Sequence, residues 1–516
     1  MSGSLGDESV ARRWLSENPW WRRAIAAVDD AGCADAPVYI VGGTVRDALL
    51  GRPSCDLDLA VGGAPGMHNA MALARRLADA LGGAYVPLDA ERDVARVVLD
   101  SGGEHRHIDV AALRADGQWS QHPPTSDIEA DLRARDLTIN AMAWRLIQVP
   151  GTKVPGTSEG ARHLSLGIGP LLDPLGGEAD LRAGLLRAAS PLAFQDDPLR
   201  ILRVIRLRGA LGFSVTHETK ALMIAALPQL SWGDDARISA ERLRDELLQI
   251  LALDAAADAL AYGAGLGIWD MVMPEVPALM QGDGGGMDTL RMWEACFGPL
   301  LRQEPDQTGE VAAVVAALEP YLFDLLAHWR EEICHQRPRW WSTKLAALLV
   351  STPPPGPEAP WAIAGRLGRR LRLGTREVRH LEGVVRATLD LWPMLADIPA
   401  AQASTASVRL VIYRYCREAG VAGIDGALLR LAQDAASGPT HHLAIVVQLL
   451  EAWFRRHEEW VDPPPLLSGG EIMHALNLAP GPRIGALIER LREAQVQGLI
   501  RTTDEAHVYL QQIADV

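Results

Sequence analysis

The chain has little cysteine and a deficit of positive charge. Its five cysteines are scattered, odd in number and without CxxC spacing, at Cys33, Cys55, Cys296, Cys334 and Cys416. This pattern argues against a disulfide framework or a zinc site, and it indicates a reducing environment such as the cytoplasm. Lys and Arg number 50 against 65 Asp and Glu, for a formal net charge of −15. Broad nonspecific nucleic-acid binding is therefore not expected, and any RNA contact must use a local basic surface.

Long hydrophobic runs are also scarce. The N-terminal segment MSGSLGDESVARRW has no apolar signal core, and apolar runs such as Leu443–Leu450 are too short to span a bilayer. We therefore expect no membrane partner. Hydrophobic residues still make up 48% of the 516 residues, which predicts a globular protein of several domains.

The most informative segment covers residues 38–61, VYIVGGTVRDALLGRPSCDLDLAV. An apolar, β-branched run ends at Gly42 and Gly43, which predicts a buried strand, a tight turn and a helix that begins near Thr44. Glycines let the main chain approach a ligand closely, and a helix N-terminus favours a phosphate. Arg46 is placed to donate to phosphate oxygens.

Two aspartates at the end of this segment predict a metal site. On a strand, Asp56 and Asp58 point to one face, while Leu57 and Leu59 point into the core. Neighbouring carboxylates repel unless a cation lies between them, and such oxygen ligands suit Mg²⁺ shared with substrate phosphates. A lone DxD or a lone GG is usually a solvated strand edge or a turn. Their combination in this order favours metal-dependent nucleotidyl transfer.

Two later segments carry further candidates. Asp109, on a strand-like segment, suits a third carboxylate that helps to deprotonate a hydroxyl nucleophile, although alone it is more typical of a strand end. Arg135 and Asp136 precede an apolar run, and we predict that Asn140 lies on the same helix face as Asp136. These residues suit a triphosphate and a ribose hydroxyl, but an ordinary capped helix has the same pattern.

The segment FQDDPLRILR predicts a reader of the nucleotide base. It places Asp197 and Arg200 three residues apart at a helix start. A carboxylate accepts from the exocyclic amine of cytosine or adenine, and a guanidinium donates to the neighbouring ring nitrogen, so guanine and uracil are rejected. Arg203, Arg206 and Arg208 extend a basic stripe. A surface ion pair with solvated arginines is the commoner meaning of this spacing.

Taken in order, these segments resemble the class II tRNA nucleotidyltransferases (CCA-adding enzymes) and the closely related bacterial poly(A) polymerases. GGTVRD with DLD resembles the first family motif, ARDLTINAMA the second, and DPLGGEADL a short connecting motif. DDPLRILRVIR resembles the base-recognition motif, and RISAERLRDEL resembles the helical motif that follows it. The segment LSGGEIMHALNLAPGPRIGALIERLREAQVQGLI is similar to the family's C-terminal tail.

The resemblance implies an α+β protein with a polymerase-β-type nucleotidyltransferase head, a mixed sheet with helices, followed by all-helical neck, body and tail domains. We divide the chain into an N-terminal helical segment, 1–36, the head, 37–184, the neck, 185–265, the body, 266–461, and the tail, 462–516. The neck carries base recognition and RNA binding in this scheme.

The resemblance also implies a reaction and its residues. In this reaction the 3′-hydroxyl of a tRNA attacks the α-phosphate of CTP or ATP, with Mg²⁺ bound by Asp56 and Asp58, and CMP or AMP is added without a template while pyrophosphate leaves. Asp56, Asp58 and Asp109 are the catalytic candidates. The residues implied for nucleotide binding are Gly42, Gly43, Arg46, Arg135, Asp136, Asn140, Asp197, Arg200 and Arg203.

Some positions depart from the family pattern, and three readings stay open. Ala134 replaces the first arginine of the second motif, and Asp196 is shorter than the usual glutamate. Residues 281–300 contain no histidine, so we read the phosphohydrolase activity that some relatives carry in the body as absent.

The alternatives to CCA addition are a bacterial poly(A) polymerase, a partial CC- or A-adding enzyme, and an inactive RNA-binding relative. Neither the base that is added nor the oligomeric state follows from the sequence.

For local structure we predict strands, helices and loops in the first part of the chain. The predicted strands cover residues 38–41, 56–61, 96–100 and 107–110. We predict helices over residues 10–31, kinked or split at Pro19, and over 68–81, with loops at 117–127 and 149–170.

Overall fold

A computed structural model gives the fold of the chain in two compact units, Met1–Ser231 and Trp232–Val516. It describes residues 18–514 except 31–35, 53–55, 64–68, 102–103, 115–124, 126, 151–163, 231, 233–236, 277–284, 303–310, 335–336, 351–357, 397–404 and 439. The first unit contains a mixed sheet with helices, and the second is almost entirely helical. The predicted fold class is confirmed.

Within the described residues, seven strands of the first unit form one sheet in the order β3-β4-β5-β2-β1-β6-β7. β2 and β5 are parallel, and the other neighbours are antiparallel. The strands are β1 (Val38–Val41), β2 (Asp56–Val61), β3 (Ala84–Asp89), β4 (Val94–Ser101), β5 (Glu104–Ala112), β6 (Ala143–Pro150) and β7 (Leu164–Leu172).

The predicted central strands are confirmed. β1 and β2 have the predicted bounds, and the strands predicted at 96–100 and 107–110 lie inside the longer β4 and β5. In β2, Leu57 and Leu59 are buried, Asp58 is half-buried and Asp56 is exposed. The alternation of carboxylates and leucines therefore orients this strand as the sequence predicts.

Three strands, β3, β6 and β7, were not predicted, and the packing of β3 and β7 shows why these two were missed. The side chains of β3 are all exposed or half-buried, so this edge strand has no apolar pattern. β7 replaces part of the loop predicted over residues 149–170, of which 151–163 lie outside the described residues. It pairs with β6 across an irregularity between Trp144 and Leu146, and a Cβ at Gly169 would lie 3.0 Å from the carbonyl oxygen of Arg145. Glycine thus permits a close strand contact where the sequence suggests a loop.

The helices Pro19–Asp30, Gly43–Leu49 and Asn69–Leu81 contact strands of this sheet. The helix Asn69–Leu81, which confirms the prediction over 68–81, buries Leu73, Leu77 and Leu81. Of the helical stretch predicted over 10–31, residues 10–17 and 31 lie outside the described residues, and a helix begins at Pro19, as suits a residue without an N–H donor. The helices are Pro19–Asp30, Gly43–Leu49, Asn69–Leu81, Ile128–Arg133, Gly177–Ala183, Ala193–Asp196, Arg200–Leu211 and His217–Ala226.

The helical run predicted after Arg135 is wrong. The helix Ile128–Arg133 ends before it, and the chain continues through a turn and a short 3₁₀ segment, Thr138–Asn140. Leu137 instead forms an isolated antiparallel bridge with Ala188. The apolar residues here are buried by these tertiary contacts, so their spacing does not report a helix face.

Helices make up nearly all of the second unit. Besides α-helices, the described residues of this unit include a strand pair, Glu332–Cys334 with Arg337–Pro338, a 3₁₀ segment, Glu319–Tyr321, and π-helical segments at Ala387–Leu391, Glu451–Arg455 and His457–Val461. The helices are Ala240–Leu251, Ala256–Ala264, Trp269–Val272, Gly285–Leu301, Ala312–Leu318, Leu322–Arg330, Arg339–Val350, Pro360–Arg370, Thr375–Arg386, Pro393–Ala396, Thr405–Ala419, Ala422–Ser437, Leu443–Leu450, Gly469–Leu476, Pro482–Gln497 and Thr503–Ala514.

A buried polar network joins four helices of this unit. Asp425 is fully buried, and its Oδ2 lies 3.0 Å from Nε2 of His328 and 3.0 Å from Nε2 of His380. Thr343 donates to the other carboxylate oxygen at 3.0 Å, and Ser342 lies 2.8 Å from Nδ1 of His380. The network supplies hydrogen bonds to both oxygens of a carboxylate that has no access to water.

The C-terminal region has a hydrophobic core of its own, formed by side chains between Leu467 and Ile513. In the described part of the chain, Cys296, Cys334 and Cys416 are free thiols. None of the described helices is long and apolar enough to cross a membrane.

Candidate active site

The Gly-Gly turn brings the main chain against the carboxylate of Asp58. Gly42 follows β1 with φ of +69°, a conformation that favours glycine, and the next helix begins at Gly43. A Cβ at Gly42 would lie 2.9 Å from Nη1 of Arg135 and 3.4 Å from Oδ2 of Asp58. A Cβ at Gly43 would lie 3.7 Å from the same oxygen. The two halves of the N-terminal motif therefore meet, and Gly42 has no room for a side chain.

Three carboxylates gather on adjacent strands. Asp58 on β2 lies directly beside Asp109 on β5, and Asp56 lies two residues away on the same strand. Burial raises the pKa of Asp58 to about 6, together with the charges of Asp109 and Asp56 and against the charge of Arg135 and a hydrogen bond from Thr44. The cluster carries more negative charge than its surroundings neutralise, so it favours a cation.

Two basic side chains of neighbouring strands restrain this cluster. Arg96 on β4 donates from Nε to Oδ1 of Asp109 at 2.7 Å and from Nη2 to Oδ2 at 2.8 Å. His107 on β5 pairs in register with Asp56, and its Nδ1 lies 3.3 Å from the carboxylate. Both oxygens of Asp109 thus receive charge-assisted hydrogen bonds from Arg96.

The donor set fits a hard divalent cation. In the parts of the chain that the structure describes, no group of three or more His, Cys, Asp or Glu side chains is arranged to hold a metal ion. Asp56 and Asp58 project to one face of β2, while Asp109 is engaged by Arg96. Two carboxylates suit Mg²⁺, which commonly uses one or two protein carboxylates together with water and substrate phosphates.

Arg46 is anchored at the start of the helix that follows the turn. It donates to Asp47 through Nε and Nη2, at 2.8 and 2.9 Å, and through Nη1 to Oδ1 of Asn140 at 2.7 Å. The structure thus brings two of the predicted nucleotide-binding residues, Arg46 and Asn140, into direct contact. A fixed guanidinium beside a glycine turn is a suitable site for a phosphate.

Arg135 lies over the same turn. Its Nε and Nη2 donate to Asp131 at 3.1 and 2.9 Å, which orients the guanidinium with Nη1 close to Gly42. Arg135 also lowers the pKa of Asp58, so the two groups share one electrostatic environment. The predicted triphosphate residues Gly42, Arg46 and Arg135 therefore surround a single stretch of main chain.

Asp136 is buried, and protein groups occupy both of its oxygens. Oδ1 accepts from the N–H of Leu137 at 2.8 Å and from Nδ2 of Asn140 at 2.9 Å, and Oδ2 accepts from Nε of Arg203 at 2.8 Å. Burial would raise its pKa, but the charges of Arg203 and Arg200 and these hydrogen bonds hold the pKa of Asp136 well below its usual range. Asn140 and Asp136 do meet as predicted, although through a turn and not on a helix face.

The predicted base-reading residues lie at the start of the helix Arg200–Leu211. Oδ1 of buried Asp197 accepts from the N–H of Leu199 at 3.2 Å, in the turn that leads into this helix. Arg200 donates to main-chain carbonyls of Ala134 at 2.8 Å, Arg135 at 3.3 Å and Ala193 at 3.1 Å. Arg200 and Arg203 thus attach this helix to the turn that carries Arg135 and Asp136.

The sequence did not single out Arg96, His107, Asp131 or Thr44, which support the candidate site. Arg96 and His107 reach it only through strand register, which joins β4, β5 and β2 across long stretches of chain. Asp131 lies four residues before Arg135, a spacing that predicts an ion pair on a helix. That signal was available in the sequence.

Comparison with known proteins places these features in a family. Residues 38–187 match the family described as the poly A polymerase head domain, and residues 212–280 match the one described as the probable RNA and SrmB-binding site of polymerase A. The CC-adding tRNA nucleotidyltransferase of Geobacter sulfurreducens is 33% identical over 92% of this chain and 91% of its own. The A-adding tRNA nucleotidyltransferase of Deinococcus radiodurans is 31% identical over 92% and 95%.

Solved structures share the fold over the whole chain. A CCA-adding enzyme in complex with ATP has a TM-score of 0.64 at 21% identity and covers all of both chains. A Thermotoga maritima CCA-adding enzyme complexed with tRNA has a TM-score of 0.57 at 22% identity and covers 99% of both chains. At this identity, the likeness establishes the fold.

Proposed function

Because the chain belongs to the family of bacterial tRNA nucleotidyltransferases and related poly(A) polymerases, and is a nucleotidyltransferase, we propose that it adds CMP and AMP from CTP and ATP to the 3′ end of tRNA in the cytoplasm. The observation that carries the proposal is the contact between the Gly42 turn and the carboxylate of Asp58. It brings a phosphate-binding main chain and a cation-binding carboxylate within a few ångströms of each other.

The proposed roles follow from the positions of the side chains. Asp56 and Asp58 would hold Mg²⁺, and the ion supplies activation of the attacking hydroxyl and neutralisation of the leaving pyrophosphate. Gly42, Gly43 and Arg46 would bind the triphosphate through main-chain N–H groups and a guanidinium. Arg135 lies close enough to the same turn to bind a phosphate oxygen while Asp131 orients it.

Asp109 is proposed as a catalytic carboxylate whose position is fixed by Arg96. Its bidentate pair with Arg96 fixes the carboxylate beside Asp58. A carboxylate at this position can act as a general base, because it can accept the proton that the attacking 3′-hydroxyl loses.

We propose that Asp197 and Arg200 govern the choice of base, as the donor and acceptor pattern of cytosine and adenine requires. Asp136, Asn140 and Arg203 support this site through their mutual hydrogen bonds. Direct contact of Asp136 with a ribose would require an exchange of one of these bonds. Its role in positioning the helix Arg200–Leu211 needs no such exchange.

A primer assay tests the proposed reaction. The protein is incubated with Mg²⁺, each labelled nucleoside triphosphate in turn, and tRNAs that end before the first C, at CC and at CCA. The expected result is incorporation of C, A or both on the incomplete ends and none on the complete CCA end. Long A-tails on unrelated RNA would indicate a poly(A) polymerase, and no incorporation on any substrate would indicate an inactive RNA-binding relative.

Partial CC addition is the second candidate. It is favoured by three similar relatives that cover 92% of this chain and are CC-adding enzymes, at 33%, 28% and 25% identity. The A-adding relative at 31% identity weighs against it. The tRNA that ends at CC distinguishes CC addition from complete CCA addition, because a CC-adding enzyme leaves this tRNA unchanged.

A further inference from the structure

The second unit contains a cavity of about 200 Å³ with a buried ammonium group in its wall. The cavity is bordered by the helices Gly285–Leu301, Leu322–Arg330 and Arg339–Val350. The side chains that matter for its chemistry are Trp293, Glu294, Arg302, Arg330, Trp340 and Lys344. None of them takes part in the candidate active site.

Lys344 is incompletely satisfied in this wall. The residue is 3% exposed, and Nζ donates to the carbonyl oxygen of Leu253 at 2.7 Å and to Oε1 of Glu294 at 2.8 Å. Among the described residues these two groups are its hydrogen-bond acceptors, whereas an ammonium group has three N–H donors. Glu294 is held in turn by the main-chain N–H groups of Ala256 and Ala257. An acceptor oxygen inside the cavity would therefore complete a rigid site.

Two indole rings accompany this ammonium group. Nζ lies 5.5 Å from the ring centroid of Trp340 and 5.6 Å from that of Trp293. Trp293 is fully buried, and Trp340 is half-buried. Flat aromatic faces of this kind stack on nucleic-acid bases without regard to their identity.

The mouth of the cavity is basic. Arg302 and Arg330 are exposed there, and Arg302 forms a 3.4 Å ion pair with the exposed carboxylate of Asp254. Counted with Lys344 and Glu294, the lining has three cations and two anions. A site for drug-sized ligands measures roughly 300–1,000 Å³, so this cavity suits one flat ring inside, with an anionic group left at the mouth.

We propose that the cavity binds one nucleotide, with its base stacked on Trp340, a base carbonyl accepting from Lys344, and the phosphate at Arg302 and Arg330. Cytosine, uracil and guanine carry such a carbonyl, whereas adenine does not, so adenine is disfavoured. A free nucleotide and an unpaired nucleotide of a bound RNA present the same chemistry. The proposal stands apart from the reaction proposed above, because it requires neither metal nor catalysis.

Photo-crosslinking without Mg²⁺ tests the proposal directly. The probes are 4-thiouridine 5′-monophosphate, for a free nucleotide, and a tRNA that lacks its 3′ CCA and contains 4-thiouridine, for a nucleotide of RNA. Trypsin releases residues 340–344, WWSTK, as one peptide, since Arg339 precedes it and Lys344 ends it. The expected result is a label on this peptide, and the probe that places it there identifies the source.

The variants decide whether the label reports the cavity. Trp340→Ala is expected to lower labelling at least about fivefold, the loss typical of removing one base–aromatic stack, and Trp340→Phe is expected to retain it. The double variant Arg302→Ala/Arg330→Ala is expected to lower it as well. Arg291→Ala is the matched control. Arg291 lies on the helix Gly285–Leu301, which also carries Trp293, but it forms exposed ion pairs and does not line the cavity.

The outcomes separate the two proposals. A label on residues 340–344 from neither probe, or an equal label in Trp340→Ala and the wild type, overturns the nucleotide site. A label from 8-azidoadenosine 5′-monophosphate at the same strength overturns the carbonyl preference. Incorporation in the primer assay is measured independently, so a failed crosslink leaves that result untouched.

Discussion

Asp58 in the first unit is half-buried and Asp425 in the second unit is fully buried, and the electrostatic environments of these two aspartates are opposite. Burial and two neighbouring carboxylates raise the pKa of Asp58 to about 6. Burial alone would also raise the pKa of Asp425, but His328 and His380 hold it well below its usual range. The second unit supplies protein partners for the carboxylate of Asp425, whereas the Asp58 cluster concentrates negative charge that a bound cation would neutralise.

The difference shows how a stabilising network and a reactive site are built from the same residue type. The Asp425 network satisfies a buried charge with hydrogen bonds and ties four helices together. In the Asp58 cluster, burial and the charges of Asp109 and Asp56 destabilise the ionised carboxylate of Asp58. We therefore expect substitutions at Asp58 to affect activity more than stability, and substitutions at Asp425 to do the reverse.

The largest expected effect is the loss of catalysis in Asp58→Ala. Removing one of the two carboxylates proposed to bind the metal should lower nucleotide incorporation by at least about a thousandfold, because a bound metal would supply most of the charge stabilisation. Initial rates of labelled CTP and ATP incorporation measure this. Asp79→Asn, an exposed carboxylate on the helix Asn69–Leu81, is the control and should retain wild-type rates. Activity of Asp58→Ala within tenfold of the wild type would refute the metal assignment.

The second largest expected effect is a loss of stability in Asp425→Asn, in the second unit. Asp425→Asn should lower the unfolding free energy by about 3 kcal/mol, because it leaves His328, His380 and Thr343 without their common charged acceptor. Calorimetry should show a lower melting temperature. Asp390→Asn, which removes an exposed pair with Arg386, should change it little. Equal melting temperatures for the two variants would mean that the network is not stabilising.

The third effect has the opposite sign. The folded-state pKa of Asp58, about 6, lies above the ordinary aspartate pKa of 3.8, so the ionised group costs stability above pH 6 and none below 3.8. Asp58→Asn should therefore raise the unfolding free energy of the metal-free protein near pH 8 by at most about 3 kcal/mol, which is measured as a higher melting temperature. This gain should be lost near pH 4. A fall in melting temperature near pH 8 would contradict the electrostatic comparison.

The smallest effect compares two glycines. Gly42→Ala meets Arg135 and a positive φ, and should cost about 1–2 kcal/mol, seen mainly as slower incorporation. Gly426→Ala places a Cβ 2.6 Å from that of Ala387, and should instead lower the melting temperature with little change in rate per folded molecule. The same readout for both variants would remove the distinction between site and core.

The sequence predicted the head well where local patterns and chemistry agree. β1, β2 and the alternation that exposes Asp56 and half-buries Asp58 follow from periodicity over short stretches. The turn at Gly42 follows from the same segment. Local pattern and tertiary structure coincide there because one face of β2 packs into the core.

Prediction failed where tertiary contacts decide the structure. The apolar run after Arg135 is buried without forming a helix, and β7 pairs across glycines that suggest a loop. Arg96 reaches Asp109, 13 positions along the chain, because β4 and β5 pair in register, and the predicted strands had not been paired with each other. The Asp425 network joins residues up to 97 positions apart, beyond any sequence spacing rule.

The attachment of the helix Arg200–Leu211 to the turn at residues 134–136 has a mechanical consequence. Arg200 donates hydrogen bonds to the carbonyl oxygens of Ala134 and Arg135, and Arg203 donates one to the carboxylate of Asp136. These bonds couple the orientation of the helix to the position of the turn, and the guanidinium of Arg135 in that turn lies beside Gly42. A change in the orientation of this helix would therefore also move a residue proposed to bind the triphosphate, so the proposed choice of base and the proposed alignment of the phosphate would be linked.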